Sequence, residues 1–323
     1  MRRSVFCGVG AFLPAKVITN DDLSLVVDTT DEWVFRRTGI KRRHVVEESD
    51  TVSGMATKAA EIALEDAGIS ADEVDLIIVA TATPDKTMPS CATMVQGNLC
   101  CKNAAAFDVN AACSGFLYAL SVVDSMIKAG RANVALVIGS EAMSKVVDWT
   151  DRSTCVLFGD GAGACVFKGQ DEQTAGSDAG VMSTLLCSDG SLGDVLYTNG
   201  GVASTGKAGY ICMKGTVLFE HAVVRLSSAI AALLESSSLD VDSIDWFIPH
   251  QANVRIIDLV INRLKLSRDR VILSIDEHAN TSSASIPLAM YEAKRAGKVK
   301  KGDLILLAAI GAGITWGASL IRL

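Results

Sequence analysis

Ala71-Asp72-Glu73-Val74-Asp75-Leu76-Ile77-Ile78-Val79-Ala80 returns in the second half of the chain as Val241-Asp242-Ser243-Ile244-Asp245-Trp246-Phe247-Ile248-Pro249-His250. Each stretch runs from acidic, turn-forming residues into a short apolar strand. The helical stretch before it, Ala59 to Gly68, meets Ala229 to Ser238 at the same offset and shares Ala59/Ala229, Leu64/Leu234 and Glu65/Glu235. Asn133 to Gly139 meets Asp303 to Ala309 in the same way. Three blocks at one offset read as an internal duplication. Short apolar strands alternate with amphipathic helices in both halves, the pattern of an α/β fold whose helices cover sheets. Leu76–Ala80, Val134–Ile138 and Leu304–Ile310 are almost unbroken apolar runs, as strands buried on both faces are. The halves divide at residues 1–170 and 171–323, across the polar stretch Lys168 to Gly180.

Bulk properties narrow the function. The chain has 323 residues, 49% of them apolar and 21% charged, which suits a core-rich globular protein. A net charge of −7 argues against nucleic acid as the partner of the whole surface, so an anionic ligand would need a local basic cluster. No unbroken run of 18 apolar residues occurs, and no membrane insertion is expected. Met1-Arg2-Arg3 is basic, but the segment to Leu13 is short, glycine-broken and stopped by Pro14, a strand and turn rather than a signal peptide. The nine cysteines form no CxxC pair and no zinc-like Cys/His spacing. Reduced thiols in a cytoplasmic protein without a metal site are the expectation.

Phe107-Asp108-Val109-Asn110-Ala111-Ala112-Cys113-Ser114-Gly115-Phe116-Leu117 joins a strand to a helix. The apolar run from Ala104 to Val109 is strand-like. Phe116, Leu117, Leu120, Val123 and Ile127 recur at helical spacing up to Gly130. Cys113 thus lies in a turn of small residues at the positive end of a helix dipole, where the thiol pKa is expected to fall. A cysteine nucleophile needs a base or cationic partner and an orienting group. His250 ends the strand Ile244–Pro249, before the helix-start signal Gln251-Ala252-Asn253, at the carboxyl edge where α/β active sites gather. Asn280 is expected to open the helix through Leu288, Met290 and Ala293, and the repeat matches it to Asn110, just before Cys113. Singly, these are as readily a packed thiol, a structural imidazole and an N-cap. Converging from equivalent turns, they read as one site. Phe158-Gly159-Asp160-Gly161-Ala162-Gly163 is not a nucleotide loop, because Ala164-Cys165-Val166-Phe167 continues it as a strand. Its glycines serve close packing.

In these motifs the chain resembles the 3-oxoacyl-[acyl-carrier-protein] synthase III family. The resemblance rests on Ala111-Ala112-Cys113-Ser114-Gly115, on His250-Gln251-Ala252-Asn253 with Arg255, and on Asn280-Thr281-Ser282 with Ser285-Ile286-Pro287. It extends end to end, through Asp28-Thr29-Thr30-Asp31-Glu32-Trp33, Arg37-Thr38-Gly39-Ile40 and Gly311-Ala312-Gly313-Ile314-Thr315-Trp316-Gly317. It implies the thiolase fold, a duplicated five-layered αβαβα unit, as a homodimer. It also implies a decarboxylating condensation: Cys113 takes an acyl group from acyl-CoA, and malonyl on acyl carrier protein loses CO2 and attacks it. His250 and Asn280 would stabilise the enolate, and the backbone N–H groups of Cys113 and Ala312 the acyl-transfer oxyanion. No cofactor is implied, since the coenzyme A thioester is a substrate.

The same resemblance assigns Trp33 and Arg152 to the adenine, Arg37 and Arg255 to phosphates, and Thr29, Gly215, Phe219 and Asn253 to the tunnel. Met88 takes the position that floors the partner's acyl pocket, where the family often has Phe; a flexible Met there suggests a short primer, acetyl by default, with propionyl or butyryl as alternatives. The acidic carrier protein calls for a basic rim, given to Gln251, Arg255, Arg263 and Lys265, with Arg268 and Lys214 nearby. Glu220 stands where relatives often have lysine. Three other readings stay open: a polyketide or quinolone starter enzyme with the same triad, a thiolase or hydroxymethylglutaryl-CoA synthase, and a non-catalytic acyl-CoA-binding protein. Thiolases need a second cysteine near the C-terminus, and no cysteine follows Cys212.

Overall fold

Two sheets share a helical middle layer in the computed structural model, which describes all residues except Met1 and Ser177. The strands of the two large sheets are β1 (Arg2–Phe12), β2 (Leu76–Ala80), β3 (Ala105–Val109), β4 (Val134–Ala142), β5 (Asp160–Asp171), β6 (Gly180–Ser188), β7 (Trp246–Pro249), β8 (Leu304–Gly311) and β9 (Thr315–Arg322). The helices that bear on the site are α1 (Asp31–Thr38), α2 (Val52–Ala67), α3 (Cys91–Asn98), α4 (Gly115–Lys128), α5 (Arg152–Cys155), α6 (Gly215–Ser236), α7 (Val254–Leu264) and α8 (Ser285–Arg295). The first sheet has the order β1-β5-β4-β2-β3 and the second β7-β8-β9-β6.

Side chains alternate along each strand, and that alternation builds the five layers. Leu76, Ile78 and Ala80 of β2 face the central helices α4 and α8, as do Ile305, Leu307 and Ala309 of β8. Ile77 and Val79 face the outer helices α2 and α3. Leu304, Leu306 and Ala308 face α6 and α7 on the other side. Both faces of the inner strands are therefore dry, which is why they are apolar without a break.

The duplication is structural. The short 3-10 turns at Ala71–Glu73 and Val241–Ser243, the starts of β4 and β8, and the starts of α4 and α8 are all separated by the same offset as the repeated sequence blocks. The halves part company at one edge. Where the first sheet carries β3, the second has a single parallel bridge between Phe247 and Val271.

One expectation needs correction. The polar connection begins later than Lys168, because β5 runs on to Asp171 and pairs there with Arg2. Lys168 is held in the sheet by its backbone, which its polarity does not reveal. Helix α6, which contains no unbroken apolar run of that length, is nevertheless long and apolar enough by composition to cross a membrane, with a mean hydropathy of 1.6 over 18 residues. Glu220, His221 and Arg225 interrupt its apolar run. Its Leu226, Ile230, Leu233 and Leu234 are buried against the second sheet and α7, as in the core helix of a layered domain.

Candidate active site

Cys113 stands in a 3-10 turn, Ala112–Ser114, between β3 and α4. Ala112 adopts φ +47°, left-handed backbone that a residue with a Cβ rarely takes, and the chain thereby turns sharply enough to aim the next residue inward. Ser114 makes no capping bond; its hydroxyl lies 2.6 Å from that of Thr315, and both hydroxyls donate to Ala111 O, at 2.8 and 2.9 Å. Thr315 thus ties the C-terminal turn to the cysteine turn. Gly311 lies so close that a Cβ would sit 2.6 Å from the Cys113 nitrogen. The glycine there brings the backbone before Ala312 beside the Cys113 amide.

The thiol does not behave as its place at a helix start suggests. Burial pushes the Cys113 pKa up to about 12, and the Glu141 carboxylate adds to the rise while the Ser282 hydroxyl opposes it. The expected lowering is therefore wrong for the resting protein. Loss of water outweighs what one turn of helix supplies.

His250 follows β7 and is held by its own N–H donating to Ala308 O at 2.8 Å. Its Nδ1 lies 2.6 Å from Ser285 Oγ, which also accepts the Gln251 N–H at 3.3 Å. With that oxygen already accepting, the Ser285 hydroxyl is free to donate to Nδ1, leaving Nε2 as the protonated nitrogen. Burial lowers the His250 pKa to about 3, so the ring is neutral at neutral pH. Asn280 does not open a helix: a 3-10 turn at Ser282–Ala284 intervenes and α8 starts at Ser285. Its Oδ1 instead accepts the Ser282 N–H at 2.8 Å, which leaves the amide nitrogen as its free donor.

Cys113, His250 and Asn280 line one cavity of about 640 Å³, together with Trp33, Arg37, Gly215, Phe219, Asn253 and Arg255. Helix α1 presents Trp33 and Arg37 because its ends are well specified. Thr30 caps it by accepting the Trp33 N–H, and Gly39 ends it at φ +83°. The Arg152 guanidinium sits 4.9 Å from the Trp33 ring centre and that of Arg37 at 5.3 Å, both within cation–π range. A base entering between Trp33 and Arg152 would have to displace the guanidinium. Asn253 caps α7 by accepting the Arg255 N–H at 2.9 Å, and Arg255 lies over Phe219 at 5.4 Å. A second hollow of about 650 Å³ adjoins this mouth and adds Arg36, which sequence reasoning passed over. A basic residue next to Arg37 on a helix is the signal that could have found it.

Other assignments land elsewhere. Gln251 is 1% exposed and gives its side chain to Pro249 O, Ile272 O and the Ser274 N–H, so it cannot meet a carrier protein. Thr29 is outside both hollows. Arg263 and Lys265 are exposed at the far end of α7, about 12 and about 15 Å along the axis from Arg255. Arg268 pairs with Asp258, and Lys214 with Asp194 at 2.5 Å. Met88 is 82% exposed and away from this chain's own cavity. Gly163, within the glycine-rich stretch, lets β5 approach the α8 backbone, where a Cβ would come within 2.8 Å of Leu288 N.

The sequence reading missed Arg43. It is fully buried and donates to Asn20 Oδ1 and Val156 O, both at 2.9 Å. Asn20 in turn donates to Asp31 at the start of α1, while Val156 follows α5. Arg43 therefore joins the segments carrying Trp33 and Arg152.

Comparison with known proteins shows which family the chain resembles along its length. The family model described as 3-Oxoacyl-[acyl-carrier-protein (ACP)] synthase III matches residues 107–190, and its C-terminal counterpart matches 234–323. The chain is 90% identical over 323 residues to the Beta-ketoacyl-[acyl-carrier-protein] synthase III of Anaplasma marginale (strain St. Maries), covering 100% of both. The crystal structure of 3-oxoacyl-[acyl-carrier-protein] synthase III from Aquifex aeolicus VF5 superposes with a TM-score of 0.93 at 47% identity, over 99% of this chain and 100% of that one. The priming beta-ketosynthase of the R1128 polyketide pathway superposes with a TM-score of 0.92 at 34% identity, over 99% and 97%.

Proposed function

The chain belongs to the 3-oxoacyl-[acyl-carrier-protein] synthase III family, and from that premise we infer how its own residues divide the work. The activity is the condensation of an acyl-CoA with malonyl-acyl-carrier-protein that initiates fatty-acid synthesis. The observation that carries the residue roles is the single cavity with Cys113, His250 and Asn280 in its lining and arginines at its mouth.

Cys113 sulfur attacks the thioester carbonyl of acyl-CoA. Its proton passes to the His250 imidazole and from there to the departing CoA sulfur, and an acyl-S-Cys113 bond replaces the acyl–CoA bond. Thiol and imidazole are both neutral at rest. A thiolate–imidazolium pair would form only jointly, each charge stabilising the other once substrate excludes water. The oxyanion is met by the amides of Cys113 and Ala312, which the close approach of Gly311 supports. Malonyl-carrier-protein then loses CO2. The electron pair left behind sits on the thioester oxygen as an enolate, where His250 Nε2–H and the Asn280 amide donate. Its carbon attacks the acyl group, giving 3-oxoacyl-carrier-protein and expelling Cys113 as a thiolate, which takes up one proton from water. Every bond change is accounted for by the two thioesters and that proton, so we assign no cofactor.

Trp33, Arg37, Arg152 and Arg255 are the proposed coenzyme A contacts, and Arg255 with Arg36 the rim for the carrier protein. We place the enzyme in the cytoplasm with these substrates, which suits its nine free cysteines. A homodimer is supported by β3, an edge strand with Phe107 exposed, and by the outward Met88 on the loop after β2. An acetyl primer is proposed, with propionyl and butyryl as competitors.

Incubation with acetyl-CoA should add one acetyl group to intact protein and none to Cys113→Ser, and malonyl-carrier-protein should discharge it as 3-oxoacyl product. A labelled protein that malonyl-carrier-protein does not discharge would overturn these roles. A stronger adduct from eight-carbon than from two-carbon acyl-CoA would overturn the short primer.

A further inference from the structure

Glu141 is the penultimate residue of β4, whose other side chains carry no charge, and is fully buried. A carboxylate there is costly unless its oxygens are satisfied. Its Oε2 accepts from Thr83 Oγ1 at 2.6 Å, Ala82 N–H at 3.0 Å and Thr81 Oγ1 at 3.2 Å. Its Oε1 accepts from Ser283 Oγ at 2.9 Å and Ser282 Oγ at 3.0 Å. None of these bonds takes part in the bond changes of the condensation.

The duplication explains the placement. Glu141 and Gly311 are repeat equivalents, related by the same offset as Ala71 and Val241. Gly311 ends β8 and lies against the turn that carries Cys113. Glu141, at the matching place in β4, grips the counterpart turn, Ser282–Ala284. Ser282 there adopts φ +52°, which a non-glycine residue keeps only when its surroundings hold it. Its N–H is the donor that fixes Asn280 Oδ1.

We propose that Glu141 is a positioning residue for carbon–carbon bond formation: by holding Ser282 and Ser283 it keeps the Asn280 carboxamide aimed at the malonyl enolate. The inference rests on the enolate-binding role of Asn280. Glutamine at this position fills the same space but cannot accept on both sides. Its oxygen must face the Ala82 N–H, so its amide faces the serines. Ser283 can keep its alternative bond to Ala80 O, at 2.8 Å, but the Ser282 hydroxyl loses its acceptor.

The test separates two half-reactions: acetylation of Cys113 by acetyl-CoA, followed by intact mass, and CO2 release from malonyl-carrier-protein. The variants are Glu141→Gln, Ser282→Ala, Asn280→Ala and the double variant Glu141→Gln/Asn280→Ala. Alanine suits position 282, because Ala112 holds nearly the same φ at the equivalent position. Glu141→Gln should slow CO2 release by about tenfold or more without slowing acetylation, because it removes a charge that raises the Cys113 pKa. Ser282→Ala, which also removes a hydroxyl from beside the Cys113 thiol, should lose CO2 release more than acetylation. Glu141→Gln should cost Asn280→Ala less than about twofold more. Should Glu141→Gln not fold, Ser282→Ala carries the same comparison. Equal losses in both half-reactions, or multiplied losses in the double variant, would overturn the proposal. Undiminished CO2 release in Asn280→Ala would overturn the role of Asn280 and this inference with it. A normal Asn280→Ala defect beside an indifferent Glu141→Gln would overturn this inference alone.

Discussion

Ala112 and Ser282 occupy equivalent positions in the two halves and adopt the same left-handed backbone, at φ +47° and +52°. The duplicated fold thus builds the same sharp turn twice and seats Cys113 after one and Ser283 after the other. Ser283 spends its hydroxyl on Ala80 O and Glu141, so it is a structural tie. Identical backbones serve different chemistry because the strand end facing each turn differs.

The close approach of Gly311 to Cys113 predicts that Gly311→Ala will damage acylation. Its new Cβ would meet backbone at 2.6 Å, which cannot move without shifting the oxyanion amides. Loss of one such donor costs roughly 100-fold, and single-turnover acetylation should fall by about that much. Acetylation within twofold of the parent protein would contradict the placement of the oxyanion site.

The raised thiol pKa, about 12, predicts slow alkylation at rest. The rate of Cys113 modification by iodoacetamide should climb between pH 6 and about pH 9 without levelling, since the reactive thiolate is a vanishing fraction throughout. A plateau near neutral pH would show that the helix start outweighs burial after all.

Acid should destabilise the fold through two buried imidazoles. Burial lowers His250 to about 3 and His278 to about 4, against an ordinary 6.5. Between those values the unfolded chain takes up protons that the folded one refuses, so stability falls as pH drops. The contribution is complete above about pH 6.5 and lost progressively on the way to about pH 4 and below. Urea midpoints measured from pH 7.5 to 4.5 should follow this slope, and His250→Gln should flatten it.

Gln251 and Arg255 should separate stability from binding. Gln251→Ala strips partners from three buried backbone groups and should cost about 3 kcal/mol of unfolding free energy. Arg255→Ala, on the exposed first turn of α7, should leave the melting temperature alone and raise KM for acyl-CoA. A melting temperature unmoved by Gln251→Ala would return that residue to the surface.

Arg43→Lys should raise KM for acyl-CoA more than it lowers kcat. A lysine cannot reach Asn20 and Val156 together, and the two segments bearing Trp33 and Arg152 would loosen. Equal changes in kcat and KM would assign Arg43 to the fold alone.

The layered architecture was legible because the turns at Ala71 and Val241, the starts of β4 and β8 and the starts of α4 and α8 keep one offset, so the central elements of the halves recur in step. Cys113, His250 and Asn280 were legible because each ends a strand or begins a turn at a matched place. The thiol pKa was not, since Cys113 is buried in part by Gly311, remote in sequence. Gln251 was read as a carrier-protein contact because local polarity does not disclose that its amide replaces backbone partners. Arg43 and Glu141 were passed over for one reason: charges are read as surface unless their neutral hydrogen-bond partners, scattered along the chain, are seen together.

The missing edge strand of the second sheet has a consequence for assembly. Had Val271 belonged to a strand as long as β3, every copy would offer two like edges, and copies could add to one another without end. With one such edge, a pairing of β3 with its twin, as in the proposed homodimer, would satisfy both molecules at once and stop growth at two. The asymmetry between halves would thus guard a protein built on repetition against polymerising.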